Sequence, residues 1–191
     1  MYKNVNTVIL TAPARTGGNH LSNLIRMSPT VNDSKDIEFF VNKYTKNQLD
    51  SFHFWPDSKF NVHQLFWRAV NSDKTYLLNF HVDEIEKISK FSTATNLKMV
   101  MLNCPTDPAS NVYNRMSRHG INNYAELEKI YTPKYIADRI LFDDILVIDS
   151  VEFHQPTIDP IISQLNNFLN INLSVNDCNR LHKIWLSKLY T

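Results

Sequence analysis

The chain has 191 residues, 43% of them hydrophobic and 20% charged, with a formal net charge of +1. That length suits one well-buried domain and is short for two, and the near-neutral charge argues against a nucleic-acid binder, which carries a basic excess. Two cysteines are too few for a disulfide framework, no apolar run reaches membrane-span length, and the N-terminus lacks a leader's apolar stretch; a cytoplasmic protein with no membrane partner is therefore expected.

In chain order, Val8-Ile9-Leu10 is short and β-branched enough to be a buried strand. Leu21, Leu24 and Ile25 follow at i, i+3, i+4, one apolar face of a helix starting near Asn19. Between them lies Ala12-Pro13-Ala14-Arg15-Thr16-Gly17-Gly18-Asn19-His20, which holds two of the chain's three glycines. A strand, a glycine turn and a helix start aim free N–H groups and the positive end of the helix dipole at one point. Such a point suits phosphate or sulfate, and Arg15 adds a permanently charged fork. A plain strand-to-helix turn is the alternative. The loop lacks the Lys and the Ser/Thr of a nucleotide-triphosphate P-loop, so kinase or NTPase chemistry is not expected.

Residues 28–75 are read as an insert with an aromatic cluster at Phe52-His53-Phe54-Trp55, either core packing or a lid and acceptor wall. Tyr76 to His81 reads as a second strand, followed by a helix carrying Ile85, Ile88 and Phe91. Leu97 to Leu102 reads as a third strand. It runs into a proline-framed loop and a helix, with Asp107 expected as N-cap and Pro108 as first helical residue. Gly120 reads as the end of that helix. Tyr124 to Phe142 reads as two helices broken at Thr132-Pro133. Ile145 to Ile148 reads as a fourth strand, and Ile158–Leu169 and Ser174–Leu189 as closing helices. Apolar strands alternating with helices predict a parallel sheet covered on both faces. No zinc motif or Cys/His cluster is present, and no metal is expected.

The segment Arg15-Thr16-Gly17-Gly18-Asn19-His20-Leu21 resembles the 5′-phosphosulfate loop of the sulfotransferases, R/K-S/T-G-x-T/S/N-x-L. Those enzymes have a P-loop-like α/β fold and use 3′-phosphoadenosine 5′-phosphosulfate (PAPS) as donor. Tyr76 to His81 resembles the family's base strand, with His81 in the place of the catalytic base and Asn79 in a lysine slot. Asn103 to Asn111 resembles the 3′-phosphate segment R-D/N-P-x-D/E-x-x-x-S. Pro105 and Asp107 match it, Asn103 stands for the arginine and Asn111 for the serine. Glu152 matches a late-strand glutamate, and Phe168-Leu169-Asn170-Ile171 is similar to F-L-G-I/L.

The resemblance implies one domain over 1–191: a three-layer α/β fold with a central parallel sheet of about four to five strands and helices on both faces, P-loop-NTPase-like. It implies sulfuryl transfer from PAPS to a hydroxyl or amine of a small-molecule or carbohydrate acceptor, with Arg15 and His81 catalytic. Arg15, Thr16, Gly17, Gly18, Asn19 and His20 would hold the phosphosulfate. Asn19 fills a hydroxyl slot, and His20 one where an adenine-stacking tryptophan often lies. Asn103, Asn111 and Arg115 would meet the 3′-phosphate. Arg115, one helical turn after Asn111, is either the replacement cation or a solvated surface charge. A binding protein of the same fold, its donor chemistry lost, is the rival reading.

Overall fold

A computed structural model describes residues 5–31, 76–79, 95–139 and 144–190. Most of the 28–75 insert, His81 and the expected helix after Asp83 lie outside them.

The protein is α/β with an open parallel sheet. Four described strands, β1 (Val5–Thr11), β2 (Tyr76–Asn79), β3 (Thr95–Leu102) and β4 (Asp144–Ile148), lie in the order β2-β1-β3-β4. Every pairing is parallel, with Leu10 level with both Asn79 and Val100, and Leu102 level with Ile148. Val8, Leu10, Leu77, Val100, Leu102 and Ile148 belong to one core cluster with Leu21, Leu24, Ile161, Ile162 and Leu165. The intervening Ile9, Met99 and Met101 are fully buried too. Burial on both faces is why β1 and β3 read as continuous apolar runs instead of alternating.

Six helices are described: α1 (Gly18–Ile25), α2 (Asn111–Arg118), α3 (Tyr124–Ile130), α4 (Pro133–Ala137), α5 (Asp159–Leu169) and α6 (Val175–Leu189). Helix α2 begins three residues later than its sequence suggests. Asp107 Oδ1 accepts the Ala109 N–H and so closes a turn, and Ser110 becomes the N-cap, its hydroxyl accepting the Tyr113 N–H. Helix α2 ends as expected at Gly120 (φ 77), where the Gly120 and Ile121 N–H groups bond back to Ser117 and Met116. Thr132 caps α4 ahead of Pro133, and Ser174 caps α6. Asn170 stops α5 in the left-handed conformation, the position glycine holds in the resembling family motif. Among the described residues no helix is long and apolar enough to cross a membrane.

The order has one mechanical consequence. From β1 the chain goes to β2 on one side, then returns past β1 to β3 on the other. The segments that leave β1 and β3 therefore part company at the carboxyl edge, the place where open α/β sheets hold ligands.

Candidate functional site

The loop after β1 occupies that edge, and five of its carbonyl groups, those of Ala12, Pro13, Arg15, Thr16 and Gly17, are engaged. Tyr131 Oη donates to the Ala12 carbonyl at 2.9 Å. The Pro13 carbonyl accepts from Thr16 N at 3.3 Å and from Thr16 Oγ1 at 2.7 Å. Arg115 Nη1 donates to the Arg15 carbonyl at 3.0 Å, and the His154 ring meets the Thr16 carbonyl through Nε2 at 2.8 Å. The Gly17 carbonyl takes the first helical bond, from Leu21 N. Within a trans peptide the C=O and the next N–H point in opposite directions. Holding the Thr16 and Gly17 carbonyls therefore turns the Gly17 and Gly18 N–H groups the other way, and neither finds an acceptor among the described residues. Arg15 at φ 71 and Gly17 at φ 102 flank Thr16, the alternation that curls successive N–H groups into an anion-binding concavity.

The two loop glycines are needed for different reasons. At Gly17, besides the positive φ, a Cβ would lie 2.8 Å from Trp185 Cη2 and 3.0 Å from Phe153 Cε1. At Gly18, the first residue of α1, a Cβ would stand 2.7 Å from the Cβ of Ala12. The chain has only one other glycine.

Cations gather at the loop mouth. Arg15 is exposed and Arg115 half-buried. Burial is the main cause holding the Arg115 guanidinium below its ordinary pKa; Tyr190 opposes it, and Arg15 and Arg118 add to the lowering by lesser amounts. The exposed His119 imidazole is pushed down chiefly by Arg15, and also by Arg115 and Arg118. Like charges held together in this way favour an anion between them.

Beneath the loop lies an aromatic floor formed by Phe153 and His154, in a 3-10 turn (Glu152–His154), and by His182 and Trp185 on α6. His20 stacks on Trp185 with ring centres 4.3 Å apart and planes 11° off parallel. Proton positions follow from the partners. His182 Nε2 faces the Gln155 carbonyl at 3.0 Å and must donate, so His182 Nδ1 accepts from His20 Nε2 at 3.1 Å. His154 Nε2 donates to the Thr16 carbonyl, so its Nδ1 accepts from the Tyr190 hydroxyl at 2.6 Å. All three rings are neutral Nε2–H tautomers. Burial is the main cause that lowers the His20 pKa to about 3 and the His154 pKa to about 4, and it lowers that of His182.

Arg15, Thr16, Gly17, Gly18 and Asn19 thus share one loop, and Arg115 reaches it from α2. His20 does not face the loop mouth: it is only 9% exposed and stacks inward. Asn103 is spent on the fold, its Nδ2 donating to Asp149 Oδ2 at 3.1 Å and its Oδ1 accepting from Ser150 N at 2.7 Å. Asn111 is exposed at the start of α2. His81 lies outside the described residues. Two buried hydroxyls, those of Thr11 and Ser150 at the ends of β1 and β4, have no partner among the described residues. Sequence reasoning missed Tyr131, His154, His182, Trp185 and Tyr190. The one available signal was His20 itself, since a histidine on a buried helix face must find polar partners. No group of three or more His, Cys, Asp or Glu side chains among the described residues could hold a metal ion. No protein-family model matches this chain, and no curated protein does.

Proposed function

We propose that the chain is a sulfotransferase-like enzyme that holds the phosphosulfate of PAPS at Arg15–Asn19 and transfers the sulfuryl group to a hydroxyl or amine of a small-molecule or carbohydrate acceptor. The observation that carries this reading is the clamped loop, whose Thr16 and Gly17 carbonyls are turned away and whose Gly17 and Gly18 N–H groups are left to meet an anion beside Arg15 and Arg115. The unpartnered Thr11 and Ser150 hydroxyls at the same sheet edge fit a polar ligand there. The fold belonging to this reading is the three-layer, P-loop-like one. Val112, Met116, Tyr131 and Ile136 of the 111–137 segment are buried outside the core cluster that holds α1, α5 and α6, as right-handed crossovers on opposite faces require.

The acceptor oxygen or nitrogen forms its bond to sulfur as the bond from sulfur to the bridging oxygen breaks. Adenosine 3′,5′-bisphosphate departs with that electron pair, and the acceptor's proton passes to His81. The loop N–H groups and Arg15 stabilise charge growing on the bridging oxygen.

Calorimetry with adenosine 3′,5′-bisphosphate, paired with sulfuryl transfer from PAPS to phenolic and sugar acceptors, tests the reading; a chain that neither binds nor transfers removes it. Arg15→Gly is the informative variant, because it deletes the cation and also relieves a left-handed backbone that costs an ordinary residue roughly 1–2 kcal/mol. Affinity is expected to fall by ~1.5–3 kcal/mol, the worth of hydrogen bonds to a charged group, with stability held or raised. Loss of both together would mean that Arg15 serves the fold.

A second reading is a non-catalytic nucleotide or anion binder, and the committed Asn103 amide favours it, since the family's 3′-phosphate cation has no successor at that position. A small affinity gap between adenosine 3′,5′-bisphosphate and AMP, without transfer, is its signature. Arg115→Ala is expected to weaken both ligands together, because Arg115 also fixes the Arg15 carbonyl. A variant that loses affinity for the bisphosphate alone would instead place Arg115 on the 3′-phosphate.

A further inference from the structure

We propose that His154 is the positioning residue of the anion loop, its Nε2–H fixing the Thr16 carbonyl and so aiming the Gly17 N–H at the ligand, with the Tyr190 hydroxyl anchoring the far side of the ring. The inference rests on the reading of the loop as an anion site.

Its basis is geometric. The Thr16–Gly17 peptide is the one loop peptide whose carbonyl is held only by a distant side chain and whose N–H has no acceptor among the described residues. Nothing within the loop fixes its rotation: Thr16 N and Thr16 Oγ1 both bond to Pro13, and Gly17 at φ 102 has no Cβ to resist turning. An imidazole can donate to that carbonyl, which only accepts and so sets the tautomer, while its other nitrogen accepts from the Tyr190 hydroxyl at 2.6 Å and the ring is held from both ends. A lysine would bring a charge into the anion's shell, and a hydroxyl would not bridge both groups. The depressed pKa of His154, about 4, keeps the ring neutral at physiological pH, so it shapes the loop without competing with Arg15 and Arg115 as a cation.

With three glycines in the chain, protein labelled with 15N-glycine gives three backbone signals, Gly17, Gly18 and Gly120, the last a reference outside the loop. In the ligand-free protein, His154→Phe is expected to displace the Gly17 signal, and His154→Gln, which keeps an N–H donor, to return it toward wild type. Affinity for adenosine 3′,5′-bisphosphate should fall roughly five- to tenfold in His154→Phe, the worth of one neutral hydrogen bond, and largely recover in His154→Gln. A purely structural histidine would instead lower the melting temperature of both variants and leave affinity and the Gly17 signal alone, which overturns the proposal. Should the Phe variant fail to fold, Tyr190→Phe carries the test: a displaced Gly17 signal and weakened binding support positioning, and wild-type behaviour refutes it. If neither the bisphosphate nor pyrophosphate shifts Gly17 or Gly18 in the wild type, the anion-site reading fails, and the ligand-free spectra still decide whether His154 sets the loop.

Discussion

Replacing Gly17 by alanine is expected to destabilise the protein by ~2–6 kcal/mol, a large share of the ~5–15 kcal/mol that holds a domain together. Two costs add. The backbone sits at φ 102, where an L-residue is strained, by roughly 1–3 kcal/mol. The new methyl would also press on Trp185 Cη2 at 2.8 Å and on Phe153 Cε1 at 3.0 Å. Neither ring can step aside: Phe153 is fully buried, and Trp185 is stacked on His20. Overpacking of this kind costs ~1–3 kcal/mol. Gly120→Ala is the internal control, since Gly120 shares a positive φ of 77 but its Cβ would meet nothing within 4 Å. It should show the backbone cost alone. Urea titrations of the two variants separate the contributions, and equal losses would mean that Trp185 does not close the space above Gly17.

Acid should weaken the fold well before its carboxylates titrate. The unfolded imidazoles of His20 and His154 take up protons as the pH falls through 6.5, whereas in the folded protein they resist until about 3 and about 4. A depressed histidine pKa means that the unfolded state binds more protons. This contribution is therefore intact above pH 6.5 and is lost as pH falls toward the folded values. One pH unit below 6.5, each ring costs about 1.4 kcal/mol, so the two together cost ~3 kcal/mol. His182, shifted in the same direction, adds to the slope. Denaturant midpoints at pH 7.5 and 5.5 with an unchanged m-value measure the effect. Coincident midpoints would show that these rings are solvated or already protonated in the folded protein.

The sheet was legible because parallel strands buried on both faces leave apolar runs, as Val8-Ile9-Leu10 and Met99-Val100-Met101 do, while the edge run Leu146-Val147-Ile148 is apolar although Val147 is exposed. The break at Thr132-Pro133 and the helix start at Ser174 were legible, and the structure adds that both residues are caps, each hydroxyl accepting an N–H from three residues on. The start of α2 was misplaced because Asp107 and Ser110 offer competing caps three residues apart, and the sequence does not reveal that the Asp107 carboxylate closes its own turn. At the site, the loop could be read from its glycines, but its supports could not. Tyr131 and His154 lie 119 and 138 residues from the carbonyls they hold, and His182 lies 162 residues from His20. Each, taken alone in the sequence, is an ordinary aromatic or histidine.

Those separations also bear on when the site comes into being. Loop closure over such distances must be met before the contacts return any free energy, so non-local assemblies form late in folding. The β1 loop is synthesised before its supports, and three of its carbonyls wait on Arg115, Tyr131 and His154. A nascent or partly folded chain thus carries the whole glycine-loop sequence without its geometry. A ligand that requires that geometry would distinguish finished molecules from unfinished ones, and by binding only the former would draw the folding equilibrium toward completion.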